Sequence, residues 1–481
     1  MKNKIIIFLA LLAIGCKKQL VETPLGQVVG NNAVSSVEGL NAALTGSYQP
    51  LMSTWGTGIS TAELNAILMG SDDITTHPAS NKAELREFDQ YNVTNTNGRL
   101  QGVWQGFYKC IQGTNNIITN YKTASGNTAA INQIAGEAFY LRAFSYYWLV
   151  RLWGNIPLVT TAVYDPAILK ISSNTPADIY KLIESDLTLA ETLMQPLKTQ
   201  EGRASKGSAS ALLADVYLTE AGWPINDQTK YSKAAAKALE VINNKAAYGF
   251  DLVPGFGSLW ADTKNGTATS EEVFALHFCG SCLWSSSNAV FGSAAWPGDL
   301  GGWDDYFSEI NFFNNYPAGV RKDITFLTAL NLSNGTTIPW QQDAVKHPYY
   351  QKFMVKNDWQ TNATLPLIRY AHVLLIYAEA QARADGTPNT QSYTSINAIR
   401  TRAGLASLAG LSSADFQQAV IDERLWEFAG EYTRWFDIVR LQMLPQIIAS
   451  RNIAENVATG PGKYYLPIPN LDVQLNPNII H

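Results

Sequence analysis

The feature that most constrains the fold is a series of long segments in which apolar residues recur at helical spacing. In residues 128–152 the repeated apolar positions are Ile131, Ile134, Ala138, Leu141, Trp148 and Leu152. Further helices are predicted over 175–193, where Thr175-Pro176 is a typical helix start, and over 205–220, 230–245, 366–384, 392–403 and 412–443. Antiparallel helix pairs joined by short turns stack into a solenoid, so the pattern predicts a mostly α, tetratricopeptide-like fold.

Residues 249–365 interrupt this pattern, because no helical period is sustained there. The stretch holds six of the 13 tryptophans, and Phe278 to Trp303 carries one charged residue, Asp299. Irregular segments of this length usually have a function. We therefore predict loops, short strands and short helices mounted on the helical scaffold. A second irregular zone covers residues 54–100.

The charge balance limits the class of partner. The 481 residues carry a net charge of −5, and only 16% of them are charged. This balance argues against nucleic acid as the main partner. The chain is rich in aromatic residues, with 13 Trp, 22 Tyr and 18 Phe. Low charge combined with many aromatic rings favours a protein that binds uncharged ligands.

The N-terminus is typical of a bacterial lipoprotein signal. Two lysines precede an apolar run from Ile5 to Ile14, and Gly15-Cys16 follows. Ten apolar residues are too few to span a bilayer as a helix. We predict a signal peptide over 1–15, a lipid on Cys16 and a tether over 16–30. Ala13 stands where leucine is commoner, and a secretory signal cut elsewhere is the alternative.

Two residues separate Cys279 from Cys282, with His277 close by. A structural zinc site usually needs four ligands, often from two such pairs. Outside the cytoplasm a local disulfide is favoured, while free thiols and a metal site remain alternatives.

The charged motifs are interpreted as structural. Carboxylate pairs occur at Asp72-Asp73, Glu271-Glu272 and Asp304-Asp305. Sequence neighbours on a loop do not by themselves provide the facing carboxylates of a glycosidase, so each pair is predicted to be a solvated loop feature. Residues three or four apart on the last predicted helix should form ion pairs: Glu423, Arg424, Glu427, Glu431 and Arg434.

Several blocks of sequence resemble one known family. They are GEAFYLRAF at 136–144 with LVRLWGNIPLV at 149–159, RASKG at 203–207 with ALLADVYL at 211–218, RYAHVLLIYAEA at 369–380, INAIRTRAGL at 396–405 and DERLWEFAGEYTRWFDIVR at 422–440. In this order behind a lipoprotein signal they resemble the SusD/RagB family of outer-membrane nutrient-binding lipoproteins. The resemblance covers essentially the whole mature chain.

The resemblance implies a scaffold of about four tetratricopeptide-like helix pairs with a loop-rich binding face. It also implies a lipid-anchored protein on the outer membrane, facing outside, that pairs with a SusC-like TonB-dependent transporter and passes glycans or peptides to it. We expect one domain over 31–481, comprising an N-terminal helical half (31–248), the Trp-rich region (249–365) and a C-terminal motif region (366–481). Two features depart from the family: the chain ends in Asn478-Ile479-Ile480-His481, and Lys17 and Lys18 follow Cys16 where acidic residues are common.

The expected function is non-catalytic glycan binding, without a cofactor or metal. The apolar face of a sugar ring lies flat on an indole, and polar side chains then orient the hydroxyls. The candidate stacking residues are Trp284, Trp296, Trp303 and Tyr306. The candidate polar contacts are Asp73, Arg86 and Asn97. The alternatives are a peptide-binding lipoprotein of the RagB type and, less favoured, a secreted glycan-cleaving enzyme.

Overall fold

The computed structural model describes residues 33–52, 58–59, 66–162, 166–282, 293–355, 361–451 and 463–479. The α-helices of these ranges are α1 Val37–Tyr48, α2 Ala83–Asp89, α3 Gly98–Asn120, α4 Thr128–Trp153, α5 Pro176–Leu193, α6 Lys206–Glu220, α7 Lys230–Asn243, α8 Lys245–Tyr248, α9 Phe256–Asn265, α10 Ile310–Asn315, α11 Val320–Thr325, α12 Tyr370–Asp385, α13 Thr390–Arg402, α14 Ser413–Glu427, α15 Arg434–Arg440, α16 Leu444–Ser450 and α17 Asn470–Leu475. The strands are β1 Ile74–Thr75, β2 Glu272–Leu276, β3 Phe307–Ser308, β4 Phe326–Leu327, β5 Ala329–Asn331, β6 Thr337–Pro339, β7 Tyr349–Tyr350 and β8 Leu365–Arg369.

The long helices pack on their neighbours in sequence. α3 packs on α4, α4 on α5, α5 on α6 and α6 on α7. α12 then packs on α7 and also contacts α13 and α14, so the two helical halves meet where α7 and α12 touch. A single cluster of buried apolar residues extends from Val34 to Ile479 and includes both halves. The predicted mostly α fold built from stacked helices is confirmed.

Local sequence signals explain most helix boundaries. Thr175 caps α5, where its hydroxyl oxygen accepts from the backbone N–H of Asp178 at 3.4 Å, and Pro176 is the first helical residue. α4 ends at Gly154, which has a positive φ of 69°. The prediction of 128–152 for α4 is therefore accurate to one residue, because the glycine stops the helix where the apolar period ends.

Two predicted helix boundaries are wrong. Residues 412–443 do not form one helix, since α14 ends at Glu427 and α15 begins at Arg434. Between them Gly430 and Tyr432 have φ values of 72° and 66°, a left-handed conformation that ends a helix. The segment predicted as a helix from residue 366 begins instead as strand β8.

The interrupting region has the small strands and short helices that the sequence predicts. Its strands form antiparallel two-stranded pairs, β2 with β8, β4 with β7 and β5 with β6. A further pair joins β1 of the N-terminal zone to β3 of the interrupting region, with Ile74 opposite Ser308. Through β8, which leads directly into α12, the region is attached to the C-terminal helices.

A buried cluster of opposite charges joins the elements around α14. The carboxylate of Glu427 contacts the guanidinium groups of Arg402 at 2.6 Å, Arg369 at 2.9 Å and Arg321 at 3.1 Å. Burial alone would raise the pKa of Glu427, but the three guanidinium groups outweigh it and hold this pKa at about 2. Glu427 thus stays charged because it is surrounded by cations.

The ion pairs do not run along one helix as predicted. Glu423 pairs with Arg321 of α11 and Arg400 of α13, and Glu431 pairs with Arg369 at the end of β8. Glu271, predicted to be solvated, is buried and also pairs with Arg369 at 2.7 Å. The break after Glu427 accounts for Glu431, which lies beyond α14, whereas Glu423 lies on α14 itself with a buried side chain that faces Arg321 of α11.

Among the described residues, no helix has both the length and the apolar character needed to cross a membrane.

We predict that Glu427→Gln lowers the free energy of unfolding by about 3–5 kcal/mol, because it leaves buried guanidinium charge uncompensated. The matched control is Asp251→Asn, which removes an exposed pair with Lys245 at 2.7 Å and should cost less than about 1 kcal/mol. Chemical unfolding followed by circular dichroism measures both. Equal effects of the two substitutions would contradict a structural role for the buried cluster.

Candidate functional site

The N-terminal irregular zone and the Trp-rich region lie against each other. β1 pairs with β3, and the Thr76 hydroxyl donates to the backbone oxygen of Asp305 at 2.7 Å. The ammonium group of Lys82 pairs with the buried carboxylate of Asp305. The structure therefore brings together the two zones from which the ligand residues are predicted.

Trp296 and Trp303 lie on one loop that folds back on itself. The backbone N–H of Trp303 donates to Ser293 at 2.9 Å, and that of Asp304 donates to Trp296 at 3.3 Å. Gly302 is required here, since a Cβ at this position would lie 2.1 Å from the Trp296 carbonyl oxygen. We call residues 293–305 the tryptophan loop.

Both indoles of the tryptophan loop are half-buried. The ring N–H of Trp296 donates to the backbone oxygen of Val355, and Trp303 packs against the main apolar cluster. Each ring is thus held by the protein while part of its surface stays accessible to solvent. This is the arrangement that a preformed stacking surface needs.

Carboxylates and a tyrosine lie at the base of this loop. Asp304 accepts from the backbone N–H of Gly298 at 2.6 Å and from the Tyr349 hydroxyl at 2.7 Å. Burial and the Asp304 carboxylate raise the pKa of Tyr349, so its hydroxyl remains a donor. Asp299 is exposed at the tip of the loop and accepts from the backbone N–H of Ala344 at 3.2 Å.

Asp343 is the least satisfied of these carboxylates. One oxygen accepts from the backbone N–H groups of Val345, at 3.1 Å, and Lys346. The other oxygen is buried and has no hydrogen-bond partner among the described residues. Burial, with the negative charges of Asp299 and Asp304 adding to it, raises the pKa of Asp343 to about 6.

Three of the predicted ligand residues are buried and already have structural partners. Tyr306 is 2% exposed, so it presents no ring face to solvent. Asp73 accepts from Ser71 at 2.6 Å and from the backbone N–H of Gly430 at 2.7 Å, and its burial raises its pKa. Asn97 caps α3 by accepting from the Arg99 N–H at 3.0 Å. In this structure Tyr306, Asp73 and Asn97 therefore have structural roles, and their contact with a ligand stays a prediction.

The remaining candidate residues are Arg86, Trp284 and the lipidation site Cys16. Arg86 is half-buried and donates to the backbone oxygen of Ala79, so its side chain lies against the turn before α2. Trp284 and Cys16 fall outside the described residues. Of the three carboxylate pairs predicted to be solvated, Glu271-Glu272 is buried at both residues, and the other two are each buried at one, Asp73 and Asp305.

Sequence reasoning missed a cavity of about 160 Å³ between the N-terminal zone and the C-terminal segment. It is lined by Ile67, Gly70, Phe88, Tyr91, Asn92, Val93, Trp435, Lys463, Tyr465, Leu466 and Pro467. Phe88 and Trp435 are buried, whereas Asn92 and Lys463 are exposed at its edge. The only available sequence signal was the run of aromatic residues at Tyr464-Tyr465 next to Lys463.

The structure also shows the state of the cysteine pair. Cys279 and Cys282 form a disulfide with a Cα–Cα distance of 5.3 Å, while Cys110 is a buried free thiol. The favoured interpretation of the cysteine pair is confirmed.

Comparisons of the sequence and of the fold with known proteins agree with one another. The sequence profile described as the SusD family matches residues 75–481. The SusD-like protein P2 of Formosa agariphila is 28% identical, over 100% of this chain and 99% of that protein. A SusD homolog from Bacteroides thetaiotaomicron has a similar fold, with a TM-score of 0.81, 22% identity and coverage of 93% and 97% of the two chains. A laminarin-binding SusD-like protein superposes with a TM-score of 0.76, at 23% identity and coverage of 93% and 99%.

We predict that Asp343→Asn stabilises the protein at pH 8 by about 1 kcal/mol and has little effect near pH 4. The folded-state pKa of Asp343 is raised to about 6 from its ordinary value of 3.8. The native carboxyl group therefore holds its proton more tightly than the unfolded one, and its ionisation costs stability as the pH rises from about 4 through 6. Asparagine removes this cost. Thermal unfolding of the wild type and of Asp343→Asn between pH 4 and 8 measures the difference in stability. Asp251→Asn is the control and should show no gain in stability at pH 8.

Proposed function

The chain belongs to the SusD family, and on that premise we propose that it is a non-catalytic, cell-surface glycan-binding lipoprotein. It captures an oligo- or polysaccharide on the tryptophan loop and delivers it to a SusC-like TonB-dependent transporter in the outer membrane. The observation that carries the ligand class is the pair of half-buried indoles, Trp296 and Trp303, on one closed loop. The laminarin-binding relative with the same fold supports the same class of ligand.

Stacking of a sugar on a tryptophan ring provides a large contact area at a low cost in side-chain entropy. A sugar ring has an apolar face of C–H groups, and a held indole presents a flat apolar surface to it. Trp296 is anchored through its ring N–H on Val355, so its orientation is set before the ligand arrives. Polar groups beside such a surface then select the orientation of the sugar. Asp299, exposed at the loop tip, is placed to accept from sugar hydroxyls.

The cavity beside α2 adds a second surface to this proposal. Asn92 and Lys463 are exposed at its edge, and the backbone N–H of Asn92 donates to Glu87 at 2.9 Å. Aromatic rings form much of its wall, including Tyr91 and Trp435. Its volume of about 160 Å³ is sufficient for part of a saccharide chain, so a long glycan has more than one place to contact the protein.

Peptide binding and glycan cleavage are the two rival functions. A peptide site needs backbone-reading and charged groups, whereas the tryptophan loop presents indoles and a single exposed carboxylate, Asp299. A glycosidase needs two carboxylates facing each other across the bond that breaks. Asp304 and Asp343 are instead engaged by backbone N–H groups of their own loops. We therefore favour binding without turnover, and product release from a polysaccharide by the pure protein would overturn this view.

We predict that Trp296→Ala and Trp303→Ala each weaken glycan binding three- to tenfold, because an aromatic stacking contact is worth about 0.5–1.5 kcal/mol. A panel of polysaccharides that includes laminarin identifies the ligand by affinity electrophoresis, and calorimetry with the strongest binder measures the loss. Both variants should keep a melting temperature near that of the wild type.

Two further tryptophans serve as controls for this test. Trp340 is also half-buried but follows β6, where it packs against Phe313 with ring centroids 5.8 Å apart, so Trp340→Ala should bind normally. Trp260 is 1% exposed, and Trp260→Ala should unfold the protein at a lower temperature. If Trp296→Ala and Trp303→Ala stay folded and bind as well as Trp340→Ala, the tryptophan loop is not the glycan site.

We predict that Cys16→Ala abolishes attachment to the outer membrane, because the lipid on Cys16 is the proposed anchor. The variant protein should appear in the soluble fraction or remain an uncleaved precursor. Mass spectrometry of the wild type should find a diacylglyceryl-type adduct on a mature chain that starts at Cys16. Cys110→Ala is the control and should stay in the membrane fraction. A mature N-terminus elsewhere would contradict lipidation.

A further inference from the structure

Away from the tryptophan loop, Glu201, Glu272 and His277 converge on one point. Each offers a ligand atom, and these three atoms all lie within 4.8 Å of one another. Glu272 is buried, His277 is half-buried and Glu201 is exposed. We propose that these three side chains bind a zinc ion. The proposal is independent of glycan binding.

The strand geometry places Glu272 and His277 on the same side. The two residues are five apart, and in a regular strand an odd separation puts side chains on opposite faces. The two register shifts in β2, one after Glu272 and one after Phe274, cancel each other, but His277 follows the end of the strand at Leu276, where this alternation no longer applies. As a result His277 Nε2 lies 2.9 Å from each oxygen of the Glu272 carboxylate.

The third ligand comes from the linker between α5 and α6. The backbone N–H of Arg203 donates to Gln200 at 3.1 Å, which closes a turn with Glu201 at its tip. Gly202 completes the turn at a φ of 76°, and a Cβ there would lie 3.4 Å from the Cδ2 atom of His277. The turn thus packs on the imidazole ring and directs Glu201 to the same point.

The surrounding contacts are those that a metal site uses to orient its ligands. Lys198 Nζ lies 2.8 Å from Glu272 Oε1, while Oε2 faces His277 Nε2 at 2.9 Å, so a zinc ion at this point would replace a proton shared by those two atoms. The Thr364 hydroxyl lies 3.4 Å from His277 Nδ1, so it can accept the Nδ1 proton and leave the Nε2 lone pair for the ion. Ligating histidines and carboxylates commonly have such outer partners, which fix the tautomer and the ring orientation.

The ligand types select zinc over the alkaline-earth ions. Calcium and magnesium prefer all-oxygen sites, whereas an imidazole nitrogen with two carboxylate oxygens suits zinc. Three protein ligands leave the fourth tetrahedral position to water or to an exchangeable ligand. The sequence does not indicate this grouping, because Glu201 and His277 belong to segments far apart in the chain.

The competing explanation is an ion-pair cluster without metal, in which a protonated His277 and Lys198 neutralise Glu272. The two explanations differ in the role of Glu201. Glu201 has no hydrogen bond or ion pair within the described ranges, so the metal-free cluster does not need it. A zinc site does need it, as the third ligand. A substitution at Glu201 therefore distinguishes them.

The test is zinc titration of the purified full chain after dialysis against a chelator. Calorimetry should find one zinc per chain for the wild type, and zinc should raise the melting temperature. Both His277→Ala and Glu201→Gln should weaken zinc binding at least tenfold and remove the thermal shift. Cobalt(II) should give the visible absorption of a tetrahedral site in the wild type only.

The matched control is His77→Ala. His77 accepts from the Ala79 N–H at 2.8 Å in a different part of the molecule, so its loss should leave zinc binding unchanged. Calcium and magnesium should produce no thermal shift through this site. The proposal is overturned if the wild type binds no zinc. It is equally overturned if His277→Ala or Glu201→Gln binds zinc as tightly as the wild type.

Discussion

The structure depends on charge pairs that are buried between elements distant in the chain. Arg369, at the end of β8, contacts Glu271 before β2, Glu427 of α14 and Glu431 beyond it. One guanidinium group thus connects the irregular region to the C-terminal helices. Removing one partner of such a cluster leaves a charge in a low-dielectric interior, which costs far more than the loss of a surface pair. The chain has few charged residues, and many of them serve this purpose.

The helical scaffold could be predicted from the sequence, because its signals are local. The apolar period of α4 and the Thr175-Pro176 start of α5 specify those helices without reference to the rest of the molecule. The break between α14 and α15 could not be predicted in the same way. Gly430 offers a local signal for it, but the left-handed conformation of Tyr432, which this residue type does not favour, gives none. Strand β8 was missed because its partner β2 is remote in sequence.

The candidate site was only partly predictable, for a related reason. Aromatic and polar residues in a loop serve either a ligand or the loop itself, and the sequence looks the same in both cases. Asn97 caps a helix through a contact two residues along the chain, whereas Asp73 receives the backbone N–H of Gly430, a contact that forms only on folding. Trp296 and Trp303 keep part of their surface accessible because the loop closes through its own backbone. The grouping of Glu201 with His277 likewise depends on the packing of a linker against a strand.

The closure of the tryptophan loop has an evolutionary consequence. Its internal hydrogen bonds join backbone groups, such as the Trp303 N–H and the Ser293 oxygen, and backbone bonds tolerate many side chains. Its side-chain contacts with the remainder of the protein include those of Asp305 with Lys82 and Thr76. Substitutions at the exposed positions can therefore accumulate without disturbing the helices beneath. For the glycan site that we propose on this loop, a lineage could thus change the ligand recognised while inheriting the scaffold unchanged.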